Sequence, residues 1–364
     1  MSVDVVGVSV VVDGATLRGA LAVVRVGVAR KPANATLGGV VLGSGRVRGF
    51  DYDVDAECLV PELAGMPDVL VDYLALVNVL KGVKGAVSFA LAGNYLMVTT
   101  PTGVSPLSVL PVEDFPEPPL LDLVPEGACA VAVAQFLPVI TAIGKDKTLP
   151  VLTAVSLQSI AGEIHLAATD RYRLSVVRVS GGEFPTTLIP GSFVKHLVKV
   201  HKGECVRISP DKSGSIMEFR FASARYMVRL LDGTFPNFRS LIPTQFSWDI
   251  SVTRSGLISA LDSARAYCSR NTPVRLELAS GELAVSVHNG DGVPPARWVV
   301  AQGVAPLSVE ATQAFNPDYL LDSLRALDGV EVKWSMNMPT KPSVFTGEDP
   351  NVTLLVMPVR LSGI

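Results

Sequence analysis

The sequence predicts an α+β fold built as three similar domains, each with two helices packed on antiparallel sheet. Three observations predict it. Amphipathic helical patterns recur at intervals of about 120 residues. Each is preceded by a short apolar alternation of strand type. A second helical pattern, closed by glycine and followed by further strand-like segments, recurs later in each third. Helices segregated against antiparallel sheet define the class.

In the first third, Val5 to Val12 alternates, and Leu17, Leu21, Val24 and Val28 fall at i, i+4, i+7 and i+11. Gly43 to Gly49 is a glycine-rich hairpin turn; it lacks the Lys-Ser/Thr of a phosphate loop. Pro67 to Leu80 reads as the second helix, carrying Leu70, Leu74 and Val77, with strands over Ala86 to Leu110. In the second third, Ala128 to Val133 is strand-like, and Phe136, Val139, Ile140 and Ile143 mark the helix. Val151 to Ile164 and Leu174 to Val179 read as strands. Ser192 to Val200 is the second helix, with Phe193 and Leu197, and strands follow over Val206 to Leu231. In the last third, Ser247 to Val252 precedes a helix with Leu257, Leu261, Ala264 and Cys268. Asn316-Pro317-Asp318 opens the second helix as N-cap plus proline at the first helical position, and strands run over Val330 to Leu361. Gly82, Gly203 and Gly329 suit the C-terminal ends of the three second helices. Proline density at Phe115 to Pro125 and Pro236 to Pro243 marks the linkers, giving domains 1–121, 122–243 and 244–364.

The net charge is −3 and charged residues make up 18% of the chain. An acidic balance does not exclude nucleic acid as a partner, because the placement of cations decides it. Cys58, Cys129, Cys205 and Cys268 are far apart, fit no metal spacing and read as reduced thiols of a cytoplasmic protein. The apolar N-terminus has no basic region of signal-peptide type, and no apolar run is long enough to span a bilayer. His196 and His201 stand five apart, which does not suit a shared metal. No catalytic constellation emerges, so the expectation is a non-enzyme without cofactor or metal. Each first helix is followed by a basic stretch: Arg30-Lys31-Pro32, Lys145-Asp146-Lys147, and Arg270-Asn271 with Arg275. One such stretch is explained by the helix dipole; three in register point to a shared role.

The densest stretch of chemistry is Ala167-Ala168-Thr169-Asp170-Arg171-Tyr172-Arg173-Leu174, a hairpin whose turn is charged and aromatic where Gly or Asn would serve. It is either a solvated turn with an Asp–Arg pair or the lip of a binding groove. The stretch resembles the central motif of the bacterial DNA polymerase III beta subunit, the sliding clamp, whose common form is Ala-Thr-Asp-Gly-His-Arg-Leu. Leu230 to Phe238 with Leu241-Ile242-Pro243, and Leu355-Val356-Met357-Pro358-Val359-Arg360-Leu361, match the same family in the same order. The match covers the second and third domains well; the first follows the layout but diverges in residues.

The resemblance implies a head-to-tail ring dimer around duplex DNA, with helices lining the hole. DNA would be held by topology and sequence-independent phosphate contacts. Arg25, Arg30, Lys31, Lys145, Lys147, Arg265 and Arg270 would then face DNA. It further implies a groove between the second and third domains for short peptides of polymerases, the clamp loader and repair proteins. By motif, Leu152, Thr169, Arg173, Leu174 and Pro243 form one side, with Ser343, Val344, Leu355, Met357, Pro358 and Val359 completing it. The ring interface would use Ser105, Leu107, Tyr267 and Cys268, Ser105 standing where a bulkier apolar group is expected. The alternative within the same family is an accessory paralogue that binds partners without being the main replication clamp.

Overall fold

The computed structural model describes residues 10–124, 128–269, 272–289 and 294–361. Arg270, Asn271, residues 290–293 and the segment before Val10 lie outside the described residues. Six α-helices occur among them: α1 Gly14–Val24, α2 Tyr73–Val79, α3 Phe136–Val139, α4 Gly191–Val200, α5 Arg254–Arg265 and α6 Pro317–Ala326.

Local chemistry explains most of their ends. The Asp13 carboxylate accepts from the backbone N–H groups of Ala15 (2.8 Å) and Thr16 (3.1 Å), capping α1. Asp72 caps α2 through Ala75 N–H at 2.7 Å. Asn316 accepts from Asp318 and Tyr319 at 2.9 and 3.2 Å ahead of Pro317, as expected for α6. Gly82, Gly203 and Gly329 all have left-handed φ, +73° to +80°, beyond the second helices.

Three expectations need correction. Pro67 to Leu80 is not one helix: Val69–Asp72 is a strand, α2 starts at Tyr73, and Leu74 is 62% exposed. The β-branched run overrides the helical spacing. The helix at Phe136 lasts only four α-helical residues with 3-10 turns on either side; Pro138 removes a donor from it. Val151 to Ile164 is a 3-10 turn, a strand Ala154–Ile160 and the start of another, Glu163–Thr169. The turn between these strands is made by Ala161 and Gly162, both at positive φ.

The described chain falls into two compact units, one comprising residues up to Val133 with His196–Leu230, the other Ala134–Lys195 with residues from Leu231 onward. The first unit holds a twelve-stranded antiparallel sheet. Near its middle Val54–Leu59 pairs with Ala224–Arg229, Val54 opposite Val228. Its α1 buries Leu17, Leu21 and Val24. The second unit holds an eight-stranded sheet and a four-stranded one. In the larger, Arg173–Ser180 pairs with Val352–Val356, Leu174 opposite Leu355. In α5, Leu257, Ala260, Leu261 and Ala264 form the buried face, and α6 contributes Leu320, Leu321 and Leu324. Burial pushes the Cys58 and Cys129 thiols up to about 11, so both stay protonated at neutral pH.

His196, on α4, is half-buried, and its Nε2–H donates to the Val23 carbonyl at 2.9 Å. Burial pushes its pKa down to about 4, against about 6.5 in an unfolded chain. The folded state therefore favours neutral imidazole. That contribution is complete above about pH 6.5 and is lost as pH falls towards 4, at most about 3 kcal/mol. Urea unfolding should show this loss between pH 6.5 and 4, and His196→Gln should flatten it. Parallel losses in both proteins would refute the assignment.

Candidate functional site

Strands Glu163–Thr169 and Arg173–Ser180 pair with Thr169 opposite Leu174, so only Asp170, Arg171 and Tyr172 remain to make the turn. The turn is tied from within. Asp170 Oδ1 accepts from the N–H groups of Tyr172 and Arg173, each at 3.0 Å. The Thr169 hydroxyl donates to the Arg173 carbonyl (2.8 Å) and accepts from Arg171 N–H (3.2 Å). Arg171 then has φ +78°, at the motif position where glycine is common; a side chain there costs about 1 kcal/mol.

Arg173 is 5% exposed, and its charge is matched on two sides. Nε donates to Asp170 at 3.1 Å and Nη1 to Asp322 at 2.9 Å. The guanidinium lies 4.5 Å from the Tyr319 ring centre, and Tyr172 stacks on the same ring at 6.0 Å. Arg173 thus locks the hairpin to α6. The hairpin is both an Asp–Arg turn and the edge of a cleft.

The cleft has a volume of about 620 Å³. One side is Thr169, Arg171, Arg173 and Leu174. Ser240, Leu241 and Pro243 line it too, with Asn337, Met338, Lys341 and Pro342, and Leu355 on strand Val352–Val356 and Met357 just past that strand complete it. Leu241, Met338 and Met357 are 49%, 57% and 38% exposed, an unusual density of open apolar side chains. A smaller cleft of about 200 Å³ shares Arg171 and Arg173 and adds Lys145, Leu149, Leu152 and Tyr319.

Six of the eleven groove residues expected from sequence (Thr169, Arg173, Leu174, Pro243, Leu355 and Met357) line the larger cleft. Leu152 lines the smaller one. Pro358 and Val359 belong to a separate hollow of about 310 Å³ with Thr312 and Ala314. Val344 is 5% exposed, and it packs with Leu174 and Leu355 in the core beneath. Ser343 is fully buried and does not reach the cleft.

Ser343 instead anchors a loop. Its hydroxyl accepts from the Trp334 indole N–H at 2.9 Å and donates to the Gln313 side-chain oxygen. The Gln313 amide donates to the carbonyls of Met338 (3.1 Å), Pro339 (3.4 Å) and Lys341 (3.0 Å). This buried network fixes the segment that carries Asn337, Met338, Lys341 and Pro342 into the cleft. Sequence reasoning misses those four, Ser240, Leu241 and Arg171. Leu241 and Arg171 stand within the family motifs and are the available signals.

The expected cationic residues divide. Arg30, Lys31, Lys145 and Lys147 are exposed and make no ion pair among the described residues. Asp146, between the two lysines, is held below the usual carboxylate range by hydrogen bonds from Thr148 and then by the Arg171 charge. Arg25 caps its own helix end through the Val28 carbonyl (2.7 Å) and lies over Tyr73. Arg265 is held by Asp318 at 2.6 Å. Of the expected interface residues, Leu107 is buried and Ser105 half-buried on strand Gly103–Leu110. Tyr267 is 57% exposed and packs on Trp298 at 5.3 Å, while the Cys268 thiol donates to the Ala264 carbonyl. Trp298 lies on Ala296–Gln302, one of the two outer strands of the four-stranded sheet. Among the described residues no group of His, Cys, Asp and Glu could hold a metal ion, and no helix is long and apolar enough to cross a membrane.

Residues 132–237 match the family model described as DNA polymerase III beta subunit, central domain, and residues 239–360 its C-terminal domain. The beta sliding clamp of Streptomyces coelicolor is 31% identical over 92% of this chain and 94% of its own. The beta sliding clamp homolog GriR of Streptomyces muensis is 28% identical over the same shares. The crystal structure of the DNA polymerase sliding clamp from Bacillus subtilis superposes with a TM-score of 0.84 at 20% identity, covering 98% of this chain and all of that one.

Asp170→Ala removes the acceptor of two backbone N–H groups and one of the two carboxylates that match the buried Arg173, leaving Asp322 alone. It should cost about 3 kcal/mol in urea unfolding. Arg171→Gly should be neutral or stabilising within about 1 kcal/mol, because it releases the left-handed strain. A destabilised Arg171→Gly protein would mean that the side chain contributes more than its backbone costs.

Proposed function

The chain belongs to the DNA polymerase III beta subunit family, the beta sliding clamps, and from that premise we propose that it is a DNA sliding clamp and polymerase processivity factor. It works in the cytoplasm without catalysis, as a head-to-tail homodimer of three-domain chains (1–121, 122–243 and 244–364) closed around duplex DNA. Replicative polymerase, clamp loader and repair proteins dock by short peptides in the cleft beside Arg171.

The observation that carries this reading is the cleft itself, open, apolar and held by the Asp170–Arg173 lock and the Gln313 network. A pre-organised cleft binds a flexible peptide without first ordering its own walls. Exposed Leu241, Met338 and Met357 suit leucine and phenylalanine anchors, methionine adapting to varied partners. Two strand edges support ring closure. Gly103–Leu107 has a partner on one side only among the described residues, and Ala296–Gln302 ends its sheet; such edges invite pairing with another chain. Exposed Arg30, Lys31, Lys145 and Lys147 supply sequence-independent attraction to phosphates. The divergent residues of the first domain, which lies before the two matched family models, favour the second reading, an accessory clamp paralogue. Reconstituted processive synthesis separates the two, since only the main clamp sustains it.

Met357→Glu puts a charge in the apolar wall and should weaken a Gln-Leu-Phe-type partner peptide by more than about tenfold in fluorescence anisotropy, with the dimer intact. Unchanged affinity would refute the cleft assignment. Charge reversal at Arg30, Lys147 and Arg270 together should shorten retention of the loaded clamp on closed circular DNA and reduce its salt dependence. Light scattering across a dilution series should give twice the 38.4 kDa chain mass. A monomer would remove the ring.

A further inference from the structure

The hairpin tip beside the cleft has a second copy in the first unit. Strands Arg46–Phe50 and Val54–Leu59 turn through Asp51, Tyr52 and Asp53. Asp51 Oδ1 accepts from Asp53 N–H (3.1 Å) and Val54 N–H (2.9 Å), as Asp170 does one repeat later. Tyr52 has φ +74°, where Arg171 has +78°. Arg229 N–H donates to the Asp53 carbonyl at 2.8 Å, and Met357 N–H to the Tyr172 carbonyl at the same distance. The strand registers agree as well: Asp55 opposes Met227, and Leu174 opposes Leu355.

This second tip also borders a pocket, of about 270 Å³, with a floor of Phe50, Ile216 and Met227 and a rim of Asp53, Glu117 and Arg229. Its charge is opposite to that of the larger cleft. Asp55 at the back is already matched by Arg48 at 2.7 Å, and Arg229 lies 3.9 Å from Asp53. Glu117 is exposed and has no ion pair among the described residues, while the Asp51 carboxylate is taken by the Asp53 and Val54 N–H groups and does not line the pocket. The larger cleft is lined instead by Arg171, Arg173 and Lys341, with no carboxylate in its wall. The smaller volume holds one large apolar side chain, and the exposed Tyr52 ring stands beside it.

We propose that this pocket is a second docking site, for a short basic segment that presents one large apolar side chain between lysines or arginines. Apolar anchor and cationic flanks are matched by the floor and the acidic rim respectively. The inference goes beyond the cleft reading and stands apart from it, because the pocket and its charges belong to the first unit alone.

The test is fluorescence anisotropy on the full-length protein with three labelled peptides. One has phenylalanine flanked by lysines, one has it flanked by glutamates, and one keeps the lysines with glycine for phenylalanine. The Phe–Lys peptide should bind. Asp53→Lys with Glu117→Lys, both on the exposed rim, should weaken it at least about tenfold, and Ile216→Glu should do so from the floor. Met357→Glu, at the other cleft, should leave it unchanged. The inference is overturned if the Phe–Lys peptide fails to bind, if the glycine peptide binds equally well, or if Met357→Glu abolishes binding and the rim variant does not. Circular dichroism of each variant secures the comparison.

Discussion

The antiparallel pairing of Arg173–Val177 with Val352–Val356 is the contact on which the cleft depends. It brings together segments that are far apart in the chain, at a high entropic cost of closure. The register then decides everything local. Leu174 meets Leu355 over a common core, and Met357, just beyond the last pair, donates its N–H to the Tyr172 carbonyl at 2.8 Å. A slip of one residue would carry Leu355 and Met357 to the opposite face of the sheet and empty the cleft of that wall. The same solution appears where Val54–Cys58 meets Ala224–Val228. A repeated fold has used one strand junction twice.

The two hairpin tips show how little separates them. Both are built on an aspartate that satisfies two backbone donors, and both place a non-glycine residue at positive φ. What differs is the residue that follows the turn. Arg173 brings a guanidinium that must be matched once buried, and Asp170 and Asp322 match it. Val54 occupies the corresponding place in the first unit and needs no such partner. Asp55 there stands where Leu174 stands in the second unit, so a carboxylate faces inward and takes Arg48. Closely similar backbone geometry thus supports a cationic cleft in one case and an acidic pocket in the other.

Local signals are legible in the sequence wherever a residue's role is decided within a turn or two. Asn316-Pro317 announces α6, the glycines announce helix ends, and Thr169 to Leu174 announces the cleft. Pro67 to Leu80 misleads because Leu70 and Leu74 fit a helical period by accident, while the Val69-Leu70-Val71 run pairs in the sheet. The cleft residues that escape detection are those positioned from a distance. Asn337, Met338 and Lys341 owe their place to Gln313, whose single amide serves three carbonyls of that loop. Ser343 belongs to the wall by its motif position, yet its hydroxyl is consumed between Trp334 and Gln313. Spacing cannot reveal that a buried hydroxyl is already paired.

Charge shows the same distinction between inventory and placement. The chain is acidic overall, at −3, but many of its arginines never present their charge to solvent as isolated cations. Glu218 takes both Arg220 and Arg225, Asp318 takes Arg265, and Asp262 takes Arg325. At physiological salt, fields fade over about 8 Å, so a matched pair contributes little beyond its own surroundings. Arg30 with Lys31 and Lys145 with Lys147 are different: each stands exposed just past a first helix, one couple in each unit. Matched pairs cancel in the net charge, which the unpaired groups set, and the local field follows where the unpaired cations stand.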